Sequence, residues 1–584
     1  MESTITKTNV ITLKIDGVEI KTTEGKRILE AALDNSVYIP NLCSLRDIKL
    51  PFGACRLCQV QIEGREGFVT ACSEPAVEGM VIHNNTPEIN TVRRKILQML
   101  LSRHPFTCLE CHRFERCRPG GTCLRLMSVN EQFCILCPKN YRCELQRASD
   151  FIGLGKMAYP YTSKGYPTER ENPFIVRNND LCILCGRCIS VDQEILGIEA
   201  IAFNRRGKDT YVGGAFGKPL LESGCTFCGC CVEVCPTGAL MDVGDEWQRW
   251  PDPRRAMIRC MYACAAGVDV PRFIRFIRER KYNEALAVIQ EKVPFAHICS
   301  RICSHPCEIA CRRSKLDQGL AIRGLERFAA ERASVKWTLG SKAPASGKKV
   351  AILSSGPAGL TAAYYLAKKG GHSVTIFEFE PQAGGMLRTV PEYDLPRQML
   401  DDELDMLKKL GVEIKTQARV ESLDKLFLDG FQAVFLALDV RKLIEFGIAV
   451  NPDDLSSKKG LFTMSEEVTG KHIFIKSVAV GRKAASSIDS YLGGSGDIEE
   501  TLAPPQVGVP RIGRMPNFSQ RKRIAMPTAS VEQGKGKPAK AELGFGDEAG
   551  AEEAMRCMGC DLRFMVAKLV EQPPLSAAKA KSPI

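Results

Sequence analysis

No run of about 18 consecutive apolar residues occurs anywhere in this 584-residue chain, so the sequence offers no helical membrane span. Aromatic side chains make up only 7% of it, with three Trp, and no nucleic-acid reader motif interrupts them, which argues against a DNA- or RNA-binding role. The first residues, MESTITKTNVITLKIDGVEI, are polar and then alternate like a strand; they lack the apolar centre of a secretory leader, and a cytoplasmic location is expected. What is abundant is cysteine, with 27 residues. Such a count suits a disulfide scaffold only in a short secreted chain, whereas repeated CxxC runs in a long one point to reduced, metal-binding thiolates. The formal net charge of +12 omits those thiolates. About 25 bound thiolates against about seven cluster cores of roughly +2 each would correct it by about −11, leaving a nearly neutral holoprotein and no phosphate-binding surface to infer.

The stretch from Cys182 to Cys235 organises the rest. CILCGRC supplies Cys182, Cys185 and Cys188, followed by Asp192; CTFCGCCVEVCP supplies Cys225, Cys228, Cys231 and Cys235 before Pro236. In two-cluster bacterial ferredoxins, which this resembles, the fourth ligand of each run serves the other cluster. That joins Cys182, Cys185 and Cys188 to Cys235, and Cys225, Cys228 and Cys231 to Asp192. A carboxylate in the fourth position could bind iron through oxygen, leave a three-iron cluster, or leave one iron exchangeable. Two structural zinc sites would explain neither the Cys-Pro nor the third cysteine of each run.

Residues 1–90 open with a strand, a turn at Asp16-Gly17 and a helix around Arg27 to Asp34. Cys43, Cys55, Cys58 and Cys72 follow at C-x11-C-x2-C-x13-C spacing, which suits a [2Fe-2S] rhombus. The pattern resembles the amino-terminal β-grasp ferredoxin of the large iron–sulphur subunit of complex I-type NADH dehydrogenases and multimeric hydrogenases. In residues 91–165 an amphipathic helix over 92–102 delivers His104, Cys108, Cys111 and Cys117, a spacing that resembles the same family's [4Fe-4S] site with one histidine. A near-duplicate, CILCPKNYRC, adds Cys134, Cys137 and Cys143, with Cys123 before it. These eight ligands suffice for two clusters, taken as His104 with Cys108, Cys111 and Cys117, and Cys123 with Cys134, Cys137 and Cys143; spacing alone leaves the grouping open. Residues 166–248 form the two-cluster ferredoxin.

Residues 249–345 carry Cys260, Cys264, Cys303, Cys307 and Cys311 in a helical pattern that resembles the amino-terminal two-cluster domain of the glutamate synthase small subunit and of dihydropyrimidine dehydrogenase. Those relatives begin with a further CxxC, absent here. AMRCMGCD near the end of the chain offers Cys557 and Cys560 as replacements, so one cluster is expected from Cys260, Cys311, Cys557 and Cys560. The resemblance implies a second from Cys264, Cys303, Cys307 and Glu326. The full assignment uses 25 of the 27 cysteines and leaves Cys230 and Cys299 over.

Residues 346–500 read as a truncated Rossmann-like domain of FAD type. KKVAILSSGPAGLTAAYYLAKKGGHSVTIFE has the strand, turn, helix and strand, with Gly356, Gly359 and, 19 residues on, Glu378 as candidate cofactor contacts. Ser354 replaces the first fingerprint glycine, Ala437-Leu438-Asp439 stands where the glutamate synthase family has Ala-Thr-Gly, and Ser465-Glu466 where it has Gly-Asp. The inserted NAD(P)H domain of the relatives is missing, so no nicotinamide is expected there, and retention of FAD stays open. Residues 501–584 read as a linker and tail bearing the last CxxC.

The fold class is therefore α+β multidomain: β-grasp [2Fe-2S] ferredoxin, His-Cys cluster segment, two-cluster ferredoxin, helical two-cluster domain and truncated Rossmann-like domain. One [2Fe-2S] and about six [4Fe-4S] clusters imply an electron conduit with no catalytic residue of its own. The family resemblances imply membership of an electron-bifurcating NADH- and ferredoxin-linked oxidoreductase of hydrogenase or formate dehydrogenase type. Its partners would be an FMN- and NADH-binding flavoprotein subunit with its small [2Fe-2S] subunit, ferredoxin, and a hydrogenase or other catalytic subunit. The rival reading is an FAD-dependent NAD(P)H oxidoreductase acting on its own flavin.

Overall fold

The alternating run at the start of the chain folds as two paired strands, β1 (Val10–Ile15) and β2 (Val18–Thr23), with Ile15 opposite Val18. The turn between them is closed by Asp16 and Gly17, both at positive φ, the backbone that a two-residue hairpin requires. Leu13, Ile15 and Ile20 are buried on one face, against Ile28, Leu29 and Ala32 of helix α1 (Ile28–Asp34). The structure, a computed structural model, describes residues 9–109, 134, 137, 139–140, 142–244, 252–338, 340–438, 451, 453–464, 473–531 and 539–574. The chain divides into two units, one of Met1–Arg249, Gln506–Gln520 and Gly559–Ile584, the other of Trp250–Pro505 and Arg521–Met558.

In the first unit, β3 (Gln59–Ile62), β4 (Val69–Thr70) and β5 (Val81–His83) complete a five-stranded sheet in the order β2-β1-β5-β3-β4, with only β1 and β5 parallel. Helix α2 runs Pro87–Leu101, starting five residues before the expected position because Thr86 caps it, accepting from the Ile89 amide at 3.3 Å, with Pro87 in the first turn. Arg93 of this helix is fully buried and donates to the Gln59 carbonyl at 2.6 Å and the Asn84 carbonyl at 2.7 Å, which fixes α2 to the sheet. Further on, β6 (Ile175–Arg177) pairs antiparallel with β9 (Leu240–Asp242), and β7 (Ile201–Asn204) with β8 (Tyr211–Gly214). Between them lie two four-residue helices, Arg187–Ser190 and Cys230–Glu233, entered through Gly186 and Gly229 at φ 80° and 83°. The two halves repeat one another.

The second unit begins with a helical layer, of which Val270–Arg278, Tyr282–Gln290, Ala296–Ile302 and Ile322–Arg332 form the frame. It shares a continuous core with a sheet of order β12-β11-β10-β13-β15-β14. Here β10 (Lys349–Leu353), β11 (Ser373–Phe377), β12 (Glu413–Lys415), β13 (Ala433–Leu436) and β15 (Leu461–Thr463) are parallel neighbours, and β14 (Ser456–Lys458) adds an antiparallel edge. Helix Pro357–Lys368 crosses from β10 to β11 as a Rossmann-like unit requires. The chain goes from β13 to β14 within residues 437–455, with no room for a second dinucleotide domain.

Residues 521–530 and 541–558 dock onto the helical layer of the second unit. Arg556 is 1% exposed and donates to Glu553 at 2.7 Å, Asp317 at 2.9 Å and the Gln318 carbonyl at 2.8 Å. Glu553 in turn accepts from the Ala321 and Ile524 amides, each at 2.8 Å. Removing one partner of such a buried network leaves the others charged and unpaired, at a cost of about 3–5 kcal/mol. Arg556→Met is therefore expected to release the tail, read by limited trypsin digestion as faster cutting after Arg521, Lys522 and Arg523 than in the unaltered protein.

Candidate metal centres

One hydrogen-bond pattern recurs at the cysteine loops. Leu184 and Phe227, at φ 55° in both cases, turn their amides back onto the sulphurs of Cys182 and Cys225 at 3.4 Å. His305, at φ 46°, does the same to Cys303 at 3.4 Å. Arg56 lies at φ 54° between Cys55 and Leu57, whose amide hydrogen-bonds the Cys55 sulphur. Holding a non-glycine residue in the left-handed region costs free energy, and the return is an amide dipole fixed against a thiolate.

In the first unit Cys43, Cys55, Cys58 and Cys72 are each no more than 2% exposed. The Cys43 and Cys55 sulphurs lie 3.4 Å apart, and Cys58 is hydrogen-bonded to Cys72. All four expected [2Fe-2S] ligands thus come together. Cys182, Cys185, Cys188 and Cys235 line one small cavity; Asp192, Cys225, Cys228 and Cys231 line a second. The two cluster sets expected from interlocking runs are therefore brought together as expected. Asp192 sits in a π-helical turn, Val191–Ile195; one carboxylate oxygen accepts from the Ile201 amide at 2.9 Å, and burial pushes its pKa up to about 7.

His104 is buried, and its Nδ1 donates to the Pro105 carbonyl at 2.8 Å in the tautomer that leaves Nε2 as an acceptor for metal. Burial pushes its pKa down to about 4, which keeps the ring neutral. Cys111, Cys117 and Cys123 lie outside the described residues. Of the remainder, Cys134 is hydrogen-bonded to Cys108, so the structure pairs members of the two triplets that the sequence grouping separates. Cys143 faces Cys134 and Cys137, and its thiol lies 3.6 Å from the Pro236 carbonyl. Cys137 faces Cys235, and a side chain on Gly238 would come within 2.5 Å of its sulphur. These thiols form a series from Cys108 to the ferredoxin loop.

In the second unit Cys264, Cys303, Cys307 and Glu326 gather as the resemblance implies. Glu326 is held well above the ordinary carboxyl range, by burial first and then by Cys303. Cys311 faces Cys557, whose carbonyl accepts from Arg278 at 2.6 Å, and Cys260 faces Cys307. Cys560 falls to the first unit. The two cysteines left over by the sequence count are not idle packing. Cys230 is hydrogen-bonded to Cys228 and Cys299 to Cys303, so each is buried beside a triplet whose expected fourth donor is a carboxylate. The spacing of Cys299 four residues before Cys303 was the available signal.

At the dinucleotide-like turn, Ser354 keeps a glycine-like φ of 90°. Glu378 is 5% exposed and already accepts from the Ser355 amide at 2.9 Å, the Ser355 hydroxyl, and the Glu380 amide at 3.0 Å. The loop at Gly384 donates to the Ser355 hydroxyl at 2.7 Å, and a side chain on Gly385 would meet Gly356 at 3.2 Å. Gly359 is close-packed against Ser354 and serves helix–strand contact. Asp439, Ser465 and Glu466 lie outside the described residues. The carboxylate and the turn that are candidate FAD contacts are thus engaged with their own chain.

Fold and site define a mixed α/β multidomain iron–sulphur protein with a Rossmann-like domain. Models of known families match four stretches. A 2Fe-2S iron–sulphur cluster binding domain covers residues 8–87; the ferredoxin-like domain of NADH-quinone oxidoreductase subunit 3 covers 172–241; dihydropyrimidine dehydrogenase domain II, a 4Fe-4S cluster domain, covers 255–337; and an NAD(P)-binding Rossmann-like domain covers 353–409. The chain is 41% identical over 217 residues to the NADP(+)-dependent formate dehydrogenase subunit beta of Moorella thermoacetica, spanning 32% of this chain and 30% of that protein. It is 33% identical over 261 residues to the NADPH-Fe(3+) oxidoreductase subunit alpha of Geobacter sulfurreducens, 45% of this chain and 27% of that protein. Over 244 residues it is 30% identical to the NADP-reducing hydrogenase subunit HndD of Solidesulfovibrio fructosivorans, 41% of this chain and 37% of that protein. A chain of an NAD+-reducing [NiFe]-hydrogenase structure matches at 25% identity over 40% of this chain and 87% of its own length; its TM-score of 0.32 carries no argument about the fold. The chain is related to iron–sulphur subunits of hydrogenase, complex I-type and formate dehydrogenase-type oxidoreductases, and it spans well under half the length of the curated relatives.

Five donors around one position make a discriminating experiment possible. Glu326→Ala is expected to keep a four-iron cluster, with Cys299 taking the fourth iron, whereas Glu326→Ala with Cys299→Ser is expected to show the three-iron signal by electron paramagnetic resonance. A three-iron signal in the single variant assigns that position to Glu326 alone.

Proposed function

We propose that this chain is the multi-cluster electron-transfer subunit of a cytoplasmic, electron-bifurcating NADH- and ferredoxin-linked oxidoreductase complex of hydrogenase or formate dehydrogenase type. The observation that carries the reading is the succession of ligand sets in the first unit. Cys43 and Cys185 share one buried cluster of side chains, Cys137 faces Cys235, and Cys188 faces Cys231. Ligand sets so placed give electrons successive sites rather than one active centre, and burial together with amide-to-sulphur bonds sets each potential. In this reading one [2Fe-2S] is held by Cys43, Cys55, Cys58 and Cys72. About six [4Fe-4S] are held by the His104 to Cys143 group, the two ferredoxin sets with Asp192, and the helical-domain sets that include Glu326.

The names of the matched relatives support the assembly: a formate dehydrogenase subunit, an NADPH-Fe(3+) oxidoreductase subunit and a hydrogenase subunit each share part of their length with this chain. The partners are an FMN- and NADH-binding flavoprotein subunit with its small [2Fe-2S] subunit, ferredoxin, and a catalytic subunit. Among the described residues no helix is long and apolar enough to cross a membrane. The Rossmann-like domain serves as a scaffold, since Glu378 and the Ser354–Gly356 turn are committed internally.

Protein purified without oxygen is expected to hold about 26 irons per chain with matching acid-labile sulphide, from one two-iron and six four-iron clusters, and little FAD. NADH should bleach its visible absorption only when the flavoprotein subunit is added. Stoichiometric FAD, with bleaching by NAD(P)H in the isolated chain, would instead make it a flavoenzyme, and zinc in place of iron would sink the reading.

A further inference from the structure

Arg187 occupies an unusual place for a guanidinium. It lies between Cys185 and Cys188, is fully buried, and donates to Glu144 Oε1 at 2.6 Å and to Asn41 Oδ1 at 3.2 Å. Each partner is itself tied to a ligand loop. Asn41 precedes Cys43 by two residues. Glu144 follows Cys143, and its amide donates to the carbonyl of Pro236, the residue after Cys235, at 3.0 Å. Cys43, Cys55 and Cys185 pack in one buried cluster of side chains with Leu145. Arg187 acts electrostatically on both Cys43 and Cys185, and those thiols together with Glu144 favour its charged form against the burial that opposes it.

Burying a charged guanidinium costs several kcal/mol before its partners compensate, and one carboxylate with one amide oxygen is a sparse set for five donors. An apolar side chain would pack this position at lower cost. What it could not do is present one fixed positive charge to two sets of thiolate ligands. Reduction adds an electron to each centre, so a nearby cation favours the reduced state and raises the potential, and a nearby anion lowers it.

The geometry points to Arg187 as a shared electrostatic element that raises the potentials of both the centre held by Cys43, Cys55, Cys58 and Cys72 and the centre held by Cys182, Cys185, Cys188 and Cys235, with Glu144 opposing it. Because one charge acts on both, the two potentials move together and the driving force between them changes little. Arg187 is a positioning residue, not a ligand. The inference rests on these two sets holding iron–sulphur clusters.

The test is a potentiometric titration of the holoprotein, followed by electron paramagnetic resonance so that the two-iron and four-iron signals are read separately, after iron per chain has been measured. Arg187→Gln is expected to shift the two-iron signal and one four-iron component to lower potential. Glu144→Gln should shift the same two upward, and Arg187→Lys should leave them near their original values. A merely structural role would not give opposite signs for the two neutralising variants. If Arg187→Gln fails to assemble, Glu144→Gln decides alone: a rise in both signals supports the inference, and no change or a fall overturns it. Full iron with unmoved potentials, or movement of one signal only, also overturns it. Absence of clusters in the unaltered protein would overturn the cluster reading instead.

Discussion

The interaction on which the rest depends is a backbone amide donated to a cysteine sulphur two residues back. A thiolate in a buried loop needs compensation for its charge, and an N–H fixed by the backbone supplies it without a titrating group. At four of these loops the amide turns back through left-handed geometry, in the intervening residue or in the donor itself. Arg56, Leu184, Phe227 and His305 supply it at loops that differ otherwise. The elements around these loops are correspondingly slight. Four-residue helices and two-stranded ribbons frame the loops at Cys182 and Cys225.

The largest fully buried side chains include four arginines, Arg93, Arg187, Arg313 and Arg556. Their guanidiniums bond carbonyl, carboxylate and side-chain amide oxygens of their own unit, several of them far along the chain. Arg313, for example, donates to the Arg556 and Arg521 carbonyls at 2.9 and 3.0 Å. The excess of basic residues in the sequence is therefore partly structural: it stitches segments and lies among thiol loops, in keeping with a chain whose formal charge leaves out its bound sulphur.

Ligand spacing is local, and so the grouping of residues 43–72 and of the two interlocking runs, whose members the structure brings together, could be read directly from sequence. The β1–β2 hairpin was equally legible, because alternation and Asp16-Gly17 leave little choice. Other features depend on folding across distance. Nothing in the spacing distinguishes Cys134 paired with Cys108 from Cys134 held among its own triplet, and the approach of Cys137 to Cys235 is made possible by a glycine far along the chain, Gly238. Arg556 looks like any surface arginine until its carboxylates are seen. Glu378 stands at the ribose position by count, yet its bonds to Ser355 and Glu380 are set by the loop around it. The place of Cys299 beside Cys303 was hidden for a simpler reason: counting ligands in sets of four leaves a fifth thiol no role.

The first unit is assembled from three separate stretches of chain. Its last stretch is anchored deep within its first: the Arg46 amide donates to the Leu569 carbonyl at 3.0 Å, and Arg563 reaches Glu233 at 2.7 Å and both oxygens of Asp242 at 2.8 Å. During synthesis these contacts of residues 46, 233 and 242 can therefore form only after their partners Leu569 and Arg563 have been made. A truncation that removes residues 560–584 would take these contacts from the first unit.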